Sequence, residues 1–203
     1  DHGPASEELS VCAFSADGRY LVTRGSHIEA RVWDLETERL VPDVIRYSAS
    51  LDFAVFSRDT RWLCTGGYGG RIGLLKLPES QGEPLKRMHP HLRIDNTALG
   101  ADFSPDGRLL MVTSGSGEVR IWDLESGARV GTMKHRDVVT NAVFSKDGSA
   151  VLTASLDGSA RRWAIDHSAV ENYDLLPIGE SYRHDAAVTD AVETDERVGL
   201  VGV

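Results

Sequence analysis

The sequence predicts an all-β protein made of repeated four-stranded units, and three observations carry that expectation. One stretch, Phe103 to Leu124 (FSPDGRLLMVTSGSGEVRIWDL), is rewritten along the chain. Its apolar residues fall in short strand-like runs broken by turn residues. Glycine is abundant, 20 of 203 residues, as many tight turns require.

With Phe103 as position zero, the matching residues are Phe14, Phe56 and Phe144. One position on, all four copies carry serine: Ser15, Ser57, Ser104 and Ser145. Three positions on, all four carry aspartate: Asp17, Asp59, Asp106 and Asp147. Nineteen positions on stand Trp33, Trp122 and Trp163, with Leu75 in the second copy. Four of the five phenylalanines and three of the four tryptophans are thus in register. The spacings between copies are 42, 47 and 41 residues, a period that marks a repeat architecture.

Composition sets bounds on function. The chain is 41% hydrophobic with charges of both signs, which suits a globular core. Its net charge is −9 and no dense basic stripe is visible, which argues against nucleic acid as a partner. Cys12 and Cys64 occupy slots filled elsewhere by Ala54, Ala101 and Ala142, and by Val22, Met111 and Leu152. Both read as small buried hydrophobes, with no disulfide or metal role. No apolar run approaches the roughly 20 residues a membrane helix needs. No signal peptide is visible, so a cytoplasmic location is expected. The chain opens on Asp1, so its original N-terminus is expected to be missing.

In chain order, residues 1 to 8 read as a loop. Strands are expected near Leu9 to Phe14, Tyr20 to Thr23, Ala30 to Leu35 and Arg39 to Ile45, the last an outer strand because it holds Pro42. The second unit departs most: Thr60 stands for glycine, Leu75 for tryptophan and Lys76 for aspartate. Its Gly66 to Gly70 reads as a flexible connector, not a phosphate loop, because no Lys-Ser/Thr pair follows. His89-Pro90-His91 lies in a longer link and reads as solvent loop, not as a metal site. The third and fourth units are the cleanest. A fifth begins after His184 and stops at Val203, within its second strand. The expected units are 9–45, 51–88, 98–133, 138–183 and 187–203.

This pattern of Phe-Ser-x-Asp-Gly and Trp-Asp marks resembles the WD-repeat (WD40-type) family over nearly the whole chain. The resemblance implies a β-propeller of four-stranded antiparallel blades, present here as about four blades and half of a fifth. It further implies a structural tetrad of a His, a Ser or Thr, an Asp and the Trp. Only the fourth unit matches throughout, with His135, Ser155, Asp157 and Trp163. The first has His27 and Gly25 at the Asp and Ser slots, the second Gly69 and Gly67, the third Ser116 and Ser114. Those units are expected to rely on packing alone. The set could be mistaken for a nucleophilic triad, but the recurring spacing favours a clip. Each recurrent Asp reads as a hairpin residue. Arg31, Arg120 and Arg161 are expected to lay their stems on apolar neighbours with their charges outward.

Functionally, the resemblance implies a non-catalytic binding platform for other proteins, without cofactor or metal. The implied partner face comprises His27, Arg46, Tyr47, Tyr68, Arg93, Arg136 and Leu156. Tyrosine and arginine are frequent interface anchors. The alternatives are a regulatory or sensor region of a larger enzyme, such as a kinase, protease or NTPase, and a propeller that binds a small ligand in its channel.

Overall fold

The computed structural model describes residues 12–26, 29–46, 50–90, 92–165, 173–183, 188–193 and 198–202. No helix occurs among them. The chain divides into two compact units, residues 1–93 and 94–203. In the first unit, β1 (Cys12–Phe14), β2 (Tyr20–Ser26), β3 (Glu29–Asp34), β4 (Arg39–Leu40) and β5 (Ile45–Arg46) form one antiparallel sheet. A second sheet holds β6 (Leu51–Phe56), β7 (Trp62–Gly67), β8 (Ile72–Lys76) and β9 (Lys86–Met88).

The second unit begins with β10 (Ala98–Phe103), β11 (Leu109–Ser114), β12 (Glu118–Asp123) and β13 (Arg129–Lys134). Next come β14 (Val139–Phe144), β15 (Ala150–Ser155), β16 (Ser159–Ala164), β17 (Tyr173–Asp174) and β18 (Pro177–Arg183). β14, β15, β16 and β18 make its second sheet, while β17 joins the outer edge of β13. β19 (Val188–Glu193) and β20 (Val198–Gly202) pair as an antiparallel hairpin.

Each of the four larger sheets opens with the same hairpin, held by the same atoms. Ser15 Oγ donates to Asp17 Oδ1 at 2.6 Å and accepts the Tyr20 amide at 2.8 Å. Asp17 Oδ1 also accepts the Arg19 amide at 3.0 Å. Ser57–Asp59, Ser104–Asp106 and Ser145–Asp147 repeat the serine-to-aspartate bond at 2.6, 2.5 and 2.6 Å. Trp62, Leu109 and Ala150 amides return to those serines at 3.0, 2.8 and 3.0 Å. Burial works to raise the Asp17 and Asp59 carboxyls, but these hydrogen bonds outweigh it and hold both below the usual range. Asp147 is held at about 2 by Ser145 and by the amide and hydroxyl of Ser149. The turn also needs a left-handed residue: φ is +74° at Gly18, +70° at Gly107, +74° at Gly148 and +55° at Thr60.

The Trp-Asp mark closes the third strand by similar chemistry. Asp34 Oδ1 accepts the Glu36 and Thr37 amides at 3.0 and 3.3 Å. Asp123 Oδ1 accepts the Glu125 and Ser126 amides at 3.1 and 2.9 Å. The other oxygen of each meets an arginine, Arg19 at 3.0 Å and Arg108 at 2.9 Å. Where Lys76 replaces the aspartate, Arg61 pairs with Asp59 instead and Lys76 with Glu79.

Each unit buries a core between its sheets. Val22, Val32 and Ile45 pack with Leu51, Leu63 and Leu75 in the first. Met111, Ile121 and Met133 pack with Phe144, Val151 and Trp163 in the second. Every residue of β11 and β15 is buried, so these strands read as continuous apolar runs. The four repeat phenylalanines differ in burial: Phe103 is 1% and Phe144 4% exposed, whereas Phe14 is 63% exposed. Phe144 packs into the core shared with the preceding sheet, and Phe56 packs on the core of its own unit. Phe14 sits in the leading sheet of its unit. Its hairpin is equivalent, but its side chain stays exposed among the described residues.

Two expectations are corrected. The fourth strand of the first sheet is interrupted, because Pro42 lacks an amide and Asp43 turns to φ +87°. β4 and β5 each pair with β3 on either side of that break. Gly66 and Gly67 are not a flexible connector but buried residues of β7. A Cβ at Gly67 would lie 2.3 Å from the Ser50 carbonyl oxygen.

The hairpin account makes a clean prediction at Gly18, where φ is +74° and an added Cβ meets nothing within 4 Å. Gly18→Ala lowers the stability of the chain by about 1–2 kcal/mol through backbone strain alone. An unchanged urea midpoint would refute the left-handed requirement.

Candidate functional site

The fourth sheet carries the most connected polar group in the described residues. Trp163 Nε1–H donates to Thr153 Oγ1 at 2.8 Å. Thr153 Oγ1 lies 2.7 Å from His135 Nε2, and His135 Nδ1 lies 3.2 Å from Asp157 Oδ2. A carboxylate only accepts, so Nδ1 carries the proton and Nε2 accepts from the threonine. The His135 side chain is 0% exposed and meets the Trp163 ring edge-on, at 5.7 Å between centroids. Asp157 also accepts from the Arg136 amide, the Ser159 amide and Arg161, each at 3.0 Å.

The hydroxyl in this chain is Thr153, not Ser155. Val151 pairs with Trp163 across the strands, so Thr153 is the diagonal neighbour the indole reaches. Ser155 lies two residues further along, about 6.6 Å beyond it. Its Oγ instead donates to the Asp137 carbonyl and accepts the Asp157 amide, both at 3.1 Å. The sequence held a signal for Thr153: Thr23, Thr65 and Thr153 all stand nine residues after their phenylalanine, with Val112 in the third copy.

The other sheets are not held by packing alone. Trp33 Nε1–H donates to Thr23 Oγ1 at 2.9 Å. In the second sheet, Thr65 Oγ1 donates to the Gly73 carbonyl at 3.3 Å beside Leu75. In the third, the Asp95 carbonyl accepts from the Ser114 and Ser116 hydroxyls, and Arg120 pairs with Asp95 and Glu118. Arg120 and Arg161 therefore turn into ion pairs, with side chains 12% and 16% exposed, and do not point outward. An acceptor within reach outweighs hydration of the guanidinium.

Of the proposed face residues, Tyr68 and Leu156 lie at the end of their sheets where the second strand turns into the third. Tyr68 N–H donates to the Ser50 carbonyl at 3.0 Å, and Leu156 N–H to the Val138 carbonyl at 2.9 Å. Gly115 holds the equivalent position, bonded to Thr97 at 3.0 Å. Tyr68 is 68% and Leu156 40% exposed. Arg136 and Leu156 flank Asp157, so the structure brings them together. In the first unit, Arg93 bridges Arg71, three residues after Tyr68, and Arg46 is paired with Glu29 at 2.8 Å. His27 and Tyr47 lie outside the described residues. The Cys12 side chain and His91 do so as well. Cys64 is fully buried, and burial pushes its thiol up.

The clip predicts an acid-sensitive stability. Burial and Arg161 hold His135 below its ordinary value, against the pull of Asp157. Burial works to raise Asp157, but bonds from Ser159, the Arg136 amide and His135 hold it far below the carboxylate range. The unfolded chain therefore binds protons more readily at both groups. Stability falls as pH drops below about 6.5, and again below about 4. His135→Gln flattens the fall in melting temperature between pH 7 and 5.5; an unchanged slope would count against a buried neutral imidazole. Thr153→Val costs about 1–3 kcal/mol and shifts the Trp163 indole N–H resonance, whereas Ser155→Ala leaves that resonance in place.

Comparison with known proteins agrees with this geometry. Residues 82–123 and 127–164 match the family model described as WD domain, G-beta repeat. Each matched segment runs from the outer strand of one sheet through the first three strands of the next. Nuclear distribution protein nudF of Aspergillus niger is 28% identical over 137 residues, 57% of this chain and 30% of that protein. A Protein LST8 homolog of Drosophila melanogaster is 35% identical over 97 residues, 45% of this chain and 30% of that protein. The Target of rapamycin complex subunit LST8 of Mus musculus is 23% identical over 123 residues, 60% of this chain and 36% of that protein. The chain thus spans about a third of the length of these relatives. Its repeated hairpins and Trp-Asp corners agree with these matches, which identify residues 82–123 and 127–164 as WD repeats.

Proposed function

We propose that this chain is a non-catalytic platform that holds protein partners on the loop ends of its sheets. One observation carries the reading. The residues shared among copies are bonded into hairpins and corners, while the equivalent loop position varies between Tyr68, Gly115 and Leu156 and stands exposed at two of them. Loops on a rigid frame suit recognition, and an exposed tyrosine is a good anchor because it adds contact area at low entropic cost. The mouse relative is by its name a subunit of a complex, which supports the same reading.

A hydrolytic role for the fourth-sheet group is disfavoured on geometric grounds. The Thr153 oxygen is buried and already bound by Trp163 and His135. No face of it is open to a substrate carbonyl. The net charge of −9 argues against a nucleic-acid partner.

The test is affinity capture with Tyr68→Ala and Arg136→Ala chains beside the unaltered one. Each change touches an exposed side chain and leaves the backbone bond in place, so melting temperature stays within about 2 °C. If these residues are anchors, one or both variants lose about tenfold in partner recovery, equivalent to about 1.4 kcal/mol. Equal recovery from both would remove this face from consideration.

A further inference from the structure

β13 is the edge strand of the third sheet, and it carries a short fifth strand that no repeat pattern foretells. β17 runs parallel to it, with Gly131 opposite Tyr173 and Thr132 opposite Asp174. The Leu175 amide then donates to the Thr132 carbonyl at 2.7 Å. Leu175 is 9% exposed and packs into the core of the second unit, whereas Leu176 is 79% exposed. The seat for Leu175 exists because residue 131 is glycine. A Cβ there would lie 3.1 Å from Leu175 Cδ1, tighter than ordinary contact.

We propose that the outer edge of β13 is a strand-accepting site for an extended, acidic, leucine-bearing segment of a partner protein, and that β17 occupies it in cis as a displaceable strap. Three features support this. β17 pairs with only two of the six residues of β13 and Arg161 takes the Lys134 carbonyl at 2.9 Å, so a longer segment gains backbone hydrogen bonds toward the Arg129 end of the strand. The strap is anchored by one buried leucine, Leu175, so an entering strand with its own leucine can displace it. The exposed cation Arg129 stands at one end of this edge, and the segment beside it reads Asp-Leu in sequence at residues 174–175, so an acidic segment complements it. The site lies on the outer edge of a sheet, apart from the loop ends considered above, and does not depend on that reading.

The experiment uses a fluorescent peptide copying residues 171–177 and the full chain. Leu175→Asp releases the strap while leaving the seat intact. Anisotropy then shows at least tenfold tighter peptide binding to the Leu175→Asp chain than to the unaltered one. Adding Gly131→Val to that background abolishes the gain, because the valine fills the seat. A gain that is absent, or that survives Gly131→Val, overturns the proposal. If Leu175→Asp does not fold, hydrogen exchange on the unaltered chain decides. The Leu175 amide exchanging at least tenfold faster than the amides between β12 and β13 supports a strap that opens independently; equal rates overturn it.

Discussion

A sheet of six-residue strands with apolar residues on both faces cannot stand in water alone. Its stability depends on a neighbour, and that constraint shapes both units. The first core draws residues from both of its sheets, and so does the second. Such stacking makes each sheet conditional on the next, so stability becomes a sum of sheet terms and interface terms. The phenylalanines show the consequence. Phe14 and Phe144 sit in equivalent hairpins, yet one is 63% exposed and the other 4%. Local sequence determines the turn; the neighbouring sheet determines whether the side chain beside it is buried.

The hairpins were legible because their bonds are short in sequence and demand particular atoms. A hydroxyl at Ser104, a carboxylate two residues on and a left-handed glycine at Gly107 have few other uses in that order. The Trp-Asp corner was legible for the same reason. The split between β4 and β5 was half legible: Pro42 signalled an edge, but the left-handed turn at Asp43 depends on the sheet around it. The identity of Thr153 was missed because strand pairing, not spacing from the turn, decides which hydroxyl the indole meets. β17 was invisible, since its partner lies some forty residues upstream and its pattern is two residues long.

The links in the second, third and fourth sheets are variants of one solution to one problem. The connector entering a sheet must be tied to the turn between its second and third strands. In the fourth sheet, Asp157 takes His135 and the Arg136 amide together. In the third, where Ile94 precedes the connector and no histidine is present, the Asp95 carbonyl takes two serines while its carboxylate takes Arg120. In the second, Gly67 lets the connector come so close that a side chain would collide with Ser50. A buried charge network, a serine pair and a bare glycine each bring the same two segments together. They differ in their response to acid, because only the first places a histidine and a strongly depressed carboxylate in the link.

That tie also leaves some side chains out of the bonding. Leu156 and Tyr68 are held by their backbone amides, bonded to carbonyls of the connector, and not by their side chains. Arg136 is likewise held by its amide, on Asp157. A residue fixed through its backbone can change its side chain at little cost to the fold. The sheet end can therefore vary in chemistry while its geometry stays constant, which is the property a binding surface needs. The hairpin end has no such freedom, because there the side chains themselves make the turn. At the exposed positions Tyr68, Leu156 and Arg136 the backbone carries the bond, whereas in the hairpins the side chains do, and that is the asymmetry between the two ends of each sheet.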